Sequence, residues 1–171
     1  MVWPSSAVLA DHLFSMDLQG LRVLEVGCGV GLPSLLLNHI GVDITATDYH
    51  PEAQGYLNIN SELNNDDKIT FMRSPWSDLT NTEGLFDIII GSDLLYEDEH
   101  ITQLSDYMLL HLKPVSKVIL VDPGRGRYTK FIKIMREHGF TSCIKKPLQE
   151  QLRDPSFHGY IITLKRTKPK A

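Results

Sequence analysis

Three glycines, Gly27, Gly29 and Gly31, stand between two apolar runs in the stretch LRVLEVGCGVGLPSLLL, which begins at Leu21. This spacing constrains the fold more than any other feature of the chain. Leu21, Val23, Leu24 and Val26 form a short apolar run suited to a parallel strand buried on both faces. Leu32 to Leu37 continue as a helix, with Pro33 tolerated in its first turn. A glycine-rich turn between strand and helix lets a ligand approach the backbone and sets it at a helix N-terminus. In the dinucleotide fingerprint G-x-G-x-x-G the third glycine comes one residue later, where Leu32 stands here.

The same strand–helix alternation runs through the chain. A helix is expected at about 5–14, a strand at 21–26 and a helix to about 40, capped by Gly41. A β-branched strand over 43–47 ends at Asp48, and Pro51 and Glu52 open the next helix. Strands follow at 68–72 and 86–91, then a helix over about 101–112 that Pro114 ends. A fifth strand at 117–121, a helix at 128–138 capped by Gly139, and two strands near 141–145 and 160–165 complete the order. Repeated strand–helix units imply a parallel sheet covered on both faces. The last two strands lack a helix between them, which predicts an antiparallel hairpin at one edge. The fold class is therefore α/β: a doubly wound, mostly parallel seven-stranded sheet in one domain over residues 1–171.

Composition excludes several functions. A net charge of -4 argues against a general nucleic-acid binder. The basic cluster Lys165, Arg166, Lys168 and Lys170 reads as a solvated tail. Two cysteines, Cys28 and Cys143, make neither a disulfide framework nor a zinc site, which suits a reduced, cytoplasmic setting. Seven histidines show no ligand spacing, so no metal is expected. No stretch is long and apolar enough for a membrane span.

In a doubly wound sheet the ligand lies beyond the carboxyl ends of the strands, where strand order reverses. Asp48 follows the glycine turn at roughly the 20 residues expected of a carboxylate that binds ribose hydroxyls. Glu25, at the mouth of the turn, would repel a pyrophosphate and suits a ligand carrying an ammonium. A nucleoside with an amino-acid tail and no phosphate satisfies Glu25, the glycines and Asp48 together. S-adenosylmethionine is such a ligand.

On these residues the chain resembles the seven-strand, Rossmann-like methyltransferases: EVGCGVG their first motif, TATD their second-strand acid, and the closing hairpin their antiparallel edge. VWPSS, Trp76 in SPWSD and SDLLYE after the fourth strand narrow the likeness to the family-16 protein-lysine methyltransferases. DPGR, from Asp122 to Arg125, resembles the electron-transfer-flavoprotein lysine methyltransferase branch. The resemblance also implies an upstream segment with extra strands. Met1 stands two residues before Trp3, so the chain is either a compact version or lacks that segment.

Methyl transfer from a sulfonium is an in-line displacement that needs an aligned, neutral nucleophile. SDLLY lies where the resemblance places the sulfonium. Asp93 is the candidate acceptor for the amine or for the methionine end of the cofactor, and Tyr96 offers an aromatic face and a hydroxyl. Leu94 and Leu95 replace the Pro-Pro pair of the N-P-P-Y slot used for planar amides, which speaks against adenine or glutamine. Trp3, Trp76 and Ser92 join Glu25, Gly27, Gly29, Gly31 and Asp48 as candidate cofactor contacts. Arg125 and Arg127 suit an acidic surface on a protein substrate, with the flavoprotein electron carrier as first candidate. The competing readings are a small-molecule N-methyltransferase, a nicotinamide-dependent oxidoreductase and a non-catalytic partner subunit.

Overall fold

The computed structural model of the chain describes residues 2–168. Twelve main elements follow in order: α1 Pro4–Phe14, β1 Arg22–Val26, α2 Leu32–His39, β2 Asp43–Asp48, α3 Ala53–Leu63, β3 Thr70–Arg73, β4 Phe86–Ser92, α4 Asp98–His111, β5 Leu112–Asp122, α5 Tyr128–Glu137, β6 Thr141–Lys145 and β7 Tyr160–Arg166. One sheet contains all seven strands in the order β3-β2-β1-β4-β5-β7-β6. Neighbours from β3 to β5 pair in parallel, and β7 runs antiparallel to both β5 and β6. The expected hairpin is present, with β7 inserted beside β5 and β6 left at the edge. Strand order reverses between β1 and β4, so ligand space opens beyond their carboxyl ends.

Two apolar layers sandwich the sheet, and the alternation of side chains along each strand sorts residues between them. Val23, Ile88 and Ile90 pack under α1, α2 and α3 with Leu9, Leu37 and Leu57. Leu24, Val26 and Ile89 face the other way, against Tyr107, Met108 and Phe131 of α4 and α5. Among the described residues no helix is long and apolar enough to cross a membrane.

Three expectations need correction. Pro114 does not end a helix: α4 stops at His111, and β5 begins at once with Pro114 inside it. The proline is tolerated because the β4–β5 register jumps there, from Phe86 opposite Leu112 to Ile88 opposite Lys117. The third strand is shifted and short, Thr70–Arg73, because only those residues pair with β2. The basic cluster is not a solvated tail: Lys165 and Arg166 belong to β7. Arg166 donates from Nε to Pro114 O at 2.9 Å and from Nη2 to Lys113 O at 2.9 Å, with its guanidinium 4.7 Å from the Phe140 ring centroid. Lys170 lies outside the described residues.

Candidate functional site

The carboxyl ends of β1, β2, β4 and β5 surround a cavity of about 800 Å³, within the size range of cofactor sites. The glycine turn forms its floor. Gly29 has φ 54°, and a Cβ there would meet nothing within 4 Å, so its backbone is open to the cavity. Gly31 serves packing instead: a Cβ there would collide with Leu57 Cδ1 of α3, and Gly31 is not among the cavity-lining residues.

Asp48, at the end of β2, ties the turn in place. Its Oδ2 accepts the Gly29 N–H at 2.8 Å and its Oδ1 the His50 N–H at 2.9 Å. Cys28 N–H donates to Thr47 O at 3.0 Å, completing the stitch between turn and strand. A carboxylate has about four lone-pair sites, so each Asp48 oxygen keeps acceptor capacity toward the cavity.

Glu25 is not where the expectation put it. It is 1% exposed and stands apart from the cavity lining. Its Oε2 accepts the Ser34 N–H at 3.0 Å and also the Ser34 hydroxyl, so it caps the first turn of α2. Burial, the largest influence, pushes its carboxyl up to about 8 against the opposing pull of the two Ser34 bonds. Glu25 therefore presents no exposed carboxylate to the cavity.

Asp93 follows β4 with φ 54°, a left-handed conformation uncommon for an aspartate, and donates its N–H to Val121 O at 2.9 Å. The next residue, Leu94, is buried against the turn: a Cβ on Gly27 would lie 2.7 Å from Leu94 Cδ2. Leu94 and Leu95 thus act as the plug that holds Asp93 and Tyr96 at the cavity wall. Ser92, Asp93, Tyr96 and Trp76 all line the cavity, as does Trp3, which is 61% exposed at the mouth. The Tyr96 phenol is pushed up by burial and by nearby negative charge.

Arg125 is the neighbour that changes Asp93. Its Nη2 donates to Asp93 Oδ2 at 3.2 Å, and its Nε lies 3.0 Å from Oδ1. Burial pushes the Asp93 carboxyl up, and the Arg125 charge opposes that push. The guanidinium is aimed by Asp122, which is buried and accepts the N–H groups of Gly124 at 2.9 Å and Arg125 at 3.2 Å. Arg127 pairs with Asp98 at 2.8 Å. Both arginines expected to grip a substrate surface are thus held by carboxylates of the chain itself.

His100 also enters the site: its ring centroid lies 6.2 Å from that of Trp76 and 6.0 Å from that of Tyr96. Its Nδ1 is 3.2 Å from Glu97 Oε2. Among the described residues no group of three or more histidine, cysteine or acidic side chains is arranged for a metal. The open Gly29 backbone, the spare Asp48 lone pairs and the Trp76 wall fit an adenosine-bearing cofactor without phosphates.

A family model described as lysine methyltransferase matches residues 1–138. Protein N-lysine methyltransferase METTL21A of Xenopus tropicalis is 29% identical over 151 residues, covering 85% of this chain and 66% of the relative. Histone-arginine methyltransferase METTL23 of Rattus norvegicus is 33% identical over 123 residues, covering 66% of this chain and 54% of the relative. The chain spans between about half and two thirds of the length of these relatives. The crystal structure of magnesium protoporphyrin IX methyltransferase from Synechocystis PCC 6803 with bound SAM superposes with a TM-score of 0.71 at 22% identity, covering 95% of this chain and 78% of that one. That likeness shows a shared Rossmann-like fold.

Proposed function

Because the chain belongs to the lysine methyltransferase family, we propose that it is an S-adenosylmethionine-dependent enzyme that methylates a protein amine, a lysine side chain. The observation that carries this reading is one cavity, at the switch point of the sheet, joining the glycine turn and Asp48 to Asp93 and Tyr96. When bound, S-adenosylmethionine supplies an electrophilic methyl group on a sulfonium. Asp48 offers the ribose hydroxyls its spare lone pairs, and Gly29 leaves its backbone open for close approach. Trp76 gives the adenine an apolar wall, and Trp3 covers the mouth. Ser92 lines the methionine end, Asp93 stands between that end and the incoming nitrogen, and Tyr96 orients the nitrogen. A lysine amine, with a pKa near ~10.4 in water, must reach this point uncharged.

Residues 1–171 act in this reading as one methyltransferase domain in the cytoplasm, on a protein partner. The electron-transfer flavoprotein is the first partner to test, on the likeness carried by DPGR. Arg125 and Arg127 are paired within the chain, so an acidic partner surface would compete with Asp93 and Asp98 for them.

Calorimetry with S-adenosylmethionine, S-adenosylhomocysteine and NAD tests the cofactor: the first two bind and NAD does not. Incubation of a protein extract with radiolabelled S-adenosylmethionine, followed by mass spectrometry, tests the acceptor. Label on lysines of one or a few proteins is expected. Label confined to RNA, free metabolites, glutamine amides or arginines overturns the lysine assignment.

A further inference from the structure

The described residues lining the cavity include two carboxylates, Asp48 and Asp93, and one lysine or arginine, Arg125. That single fixed cation is directed at Asp93 rather than at open space. Three features hold it there. Asp122, buried beneath, accepts the Arg125 N–H and so shapes the turn that points the side chain. Gly159, just before β7, lets the chain close against this turn, since a Cβ there would lie 2.8 Å from Pro123 Cα. Asp93 itself sits in the left-handed region, which turns its carboxylate across to the guanidinium.

We propose that Arg125 is a specificity-determining residue: by neutralising Asp93 it makes the acceptor end of the cavity take an uncharged nitrogen and reject a permanently charged guanidinium. The biological meaning of this assignment rests on the amine-methylation reading above. A carboxylate standing alone beside an ammonium favours the charged form and raises its pKa by about 1–3 units. At neutral pH only about one lysine amine in a thousand is uncharged, so an unpaired Asp93 would cut the reactive fraction by a further tenfold or more. A guanidinium poses the opposite problem. It stays protonated in proteins and docks as a two-pronged fork on a free carboxylate. With Arg125 hydrogen-bonded to Asp93 Oδ2 and its Nε 3.0 Å from the buried Oδ1, an incoming guanidinium meets like charge instead of a free carboxylate.

The amine can satisfy the same site in two steps. Its ammonium first gives a proton to solvent water. The freed nitrogen lone pair then forms the N–C bond while the C–S bond breaks and its electron pair stays on sulfur. Other charged or titratable groups around this point are Asp48 at the end of β2, Asp122 under the turn, Tyr96 and Glu97 on the same loop, His100 on α4, and Tyr49. Arg125 is the one among them that carries a fixed positive charge.

The test needs neither cofactor nor turnover. Backbone amide shifts of residues 92–96 are followed by NMR at pH 7 while n-butylammonium or n-propylguanidinium chloride is added to the whole chain. The wild type is expected to show no saturable shift with either. Arg125→Gln should bind both, propylguanidinium at least about tenfold more tightly than the wild type. Arg125→Lys, which retains the charge, should follow the wild type. Equal binding by wild type and Arg125→Gln overturns the proposal, as does tight propylguanidinium binding to the wild type.

If Arg125→Gln does not fold, Arg125→His supplies the contrast within one protein. The propylguanidinium should be excluded at pH 5.5 and bound at pH 8.5, because the probe stays charged while a histidine loses its charge near ~6.5. Equal affinity at both values overturns the proposal. With a protein extract as substrate, Arg125→Gln should also move the rise of the pH–rate profile upward, whereas a purely structural role would lower the rate by one factor at every pH. Absence of labelled lysine with every variant would overturn the amine-methylation reading and leave the probe titrations unchanged.

Discussion

Asp48 does two jobs that mutation can separate. Its oxygens already hold the Gly29 and His50 N–H groups, so its acceptor capacity for ribose is what remains. Asp48→Ala is expected to weaken S-adenosylmethionine binding by about 2–4 kcal/mol, since hydrogen bonds to a charged group contribute about 1.5–3 each and overlap. Asp48→Asn retains the Oδ1 acceptor and should lose less; calorimetry that finds both variants at wild-type affinity would remove Asp48 from the site. Tyr96→Ala and Asp93→Asn should each lower turnover at least about tenfold while changing stability by under about 1 kcal/mol. Tyr96 is over a third exposed, and asparagine tolerates the left-handed backbone that Asp93 adopts. A thermal melt beside the activity assay checks this; lost folding rather than lost turnover would make both residues structural. At this scale the sequence was only partly legible. Asp48 was readable because its distance from the glycine turn is a chain property. The Arg125–Asp93 pair was not, because it joins residues 32 apart in sequence on two different loops. One signal did exist: an aspartate two residues before a glycine, as in DPGR, marks a turn closed by its own carboxylate.

At the scale of elements, the face of a strand decides where its side chains point. Alternation along β1 places Glu25 on the same face as Val23, and Val23 packs in the layer covered by α1, α2 and α3. A strand acid on that face points under a helix, so Glu25 reaches Ser34 of α2 rather than the cavity. Period two was visible in LRVLEV, but which helix covers which face depends on the crossovers, a property of the assembled sheet. Pro114 departs from the helix-stop expectation for a related reason. A proline after a helical run signals a stop, yet the β4–β5 register shift gives it a strand position. The glycine turn carries a sharper prediction at this scale. Both Gly29 and Gly31 are left-handed, so alanine at either costs about 1–2 kcal/mol of backbone strain. At Gly31 the new methyl also meets Leu57 of α3 and adds about 1–3 kcal/mol of overpacking. Gly31→Ala should therefore be clearly the less stable by chemical denaturation, and Gly31→Ala with Leu57→Ala should recover part of the loss. Equal stabilities for the two glycine variants would mean that α2 and α3 do not pack through this turn.

Across the whole molecule, two buried or half-buried carboxylates pull stability in opposite directions with pH. Asp87 bridges the sheet at the end away from the cavity, accepting the Arg22 N–H at 2.9 Å and the Lys113 ammonium at 2.9 Å. Burial pushes its carboxyl up, but these partners outweigh that push and leave it below the ordinary range. A lowered carboxyl contributes stability above its unfolded pKa and loses it as pH falls through the folded value, so the Asp87 contribution changes with pH only in acid. Glu25 acts elsewhere. Its carboxyl rises from 4.5 to about 8, so the folded chain keeps a proton that the unfolded chain releases. Its contribution is complete below about 4.5 and is lost as pH climbs toward about 8, because the unfolded state then binds fewer protons. Folding stability measured by urea titration should therefore fall between pH 5 and 8 in the wild type. Glu25→Gln, which has no proton to release, should flatten that slope while leaving the acid limb set by Asp87 in place. It also retains a carbonyl acceptor for the Ser34 N–H, so α2 keeps its cap and the comparison isolates ionisation. A wild-type stability that stays level from pH 5 to 8 would mean that Glu25 is already ionised in the fold, held so by the α2 N-terminus and Ser34. In that case the cavity would lie above a fixed buried anion, and binding of a cationic sulfonium should then be independent of pH over the same range.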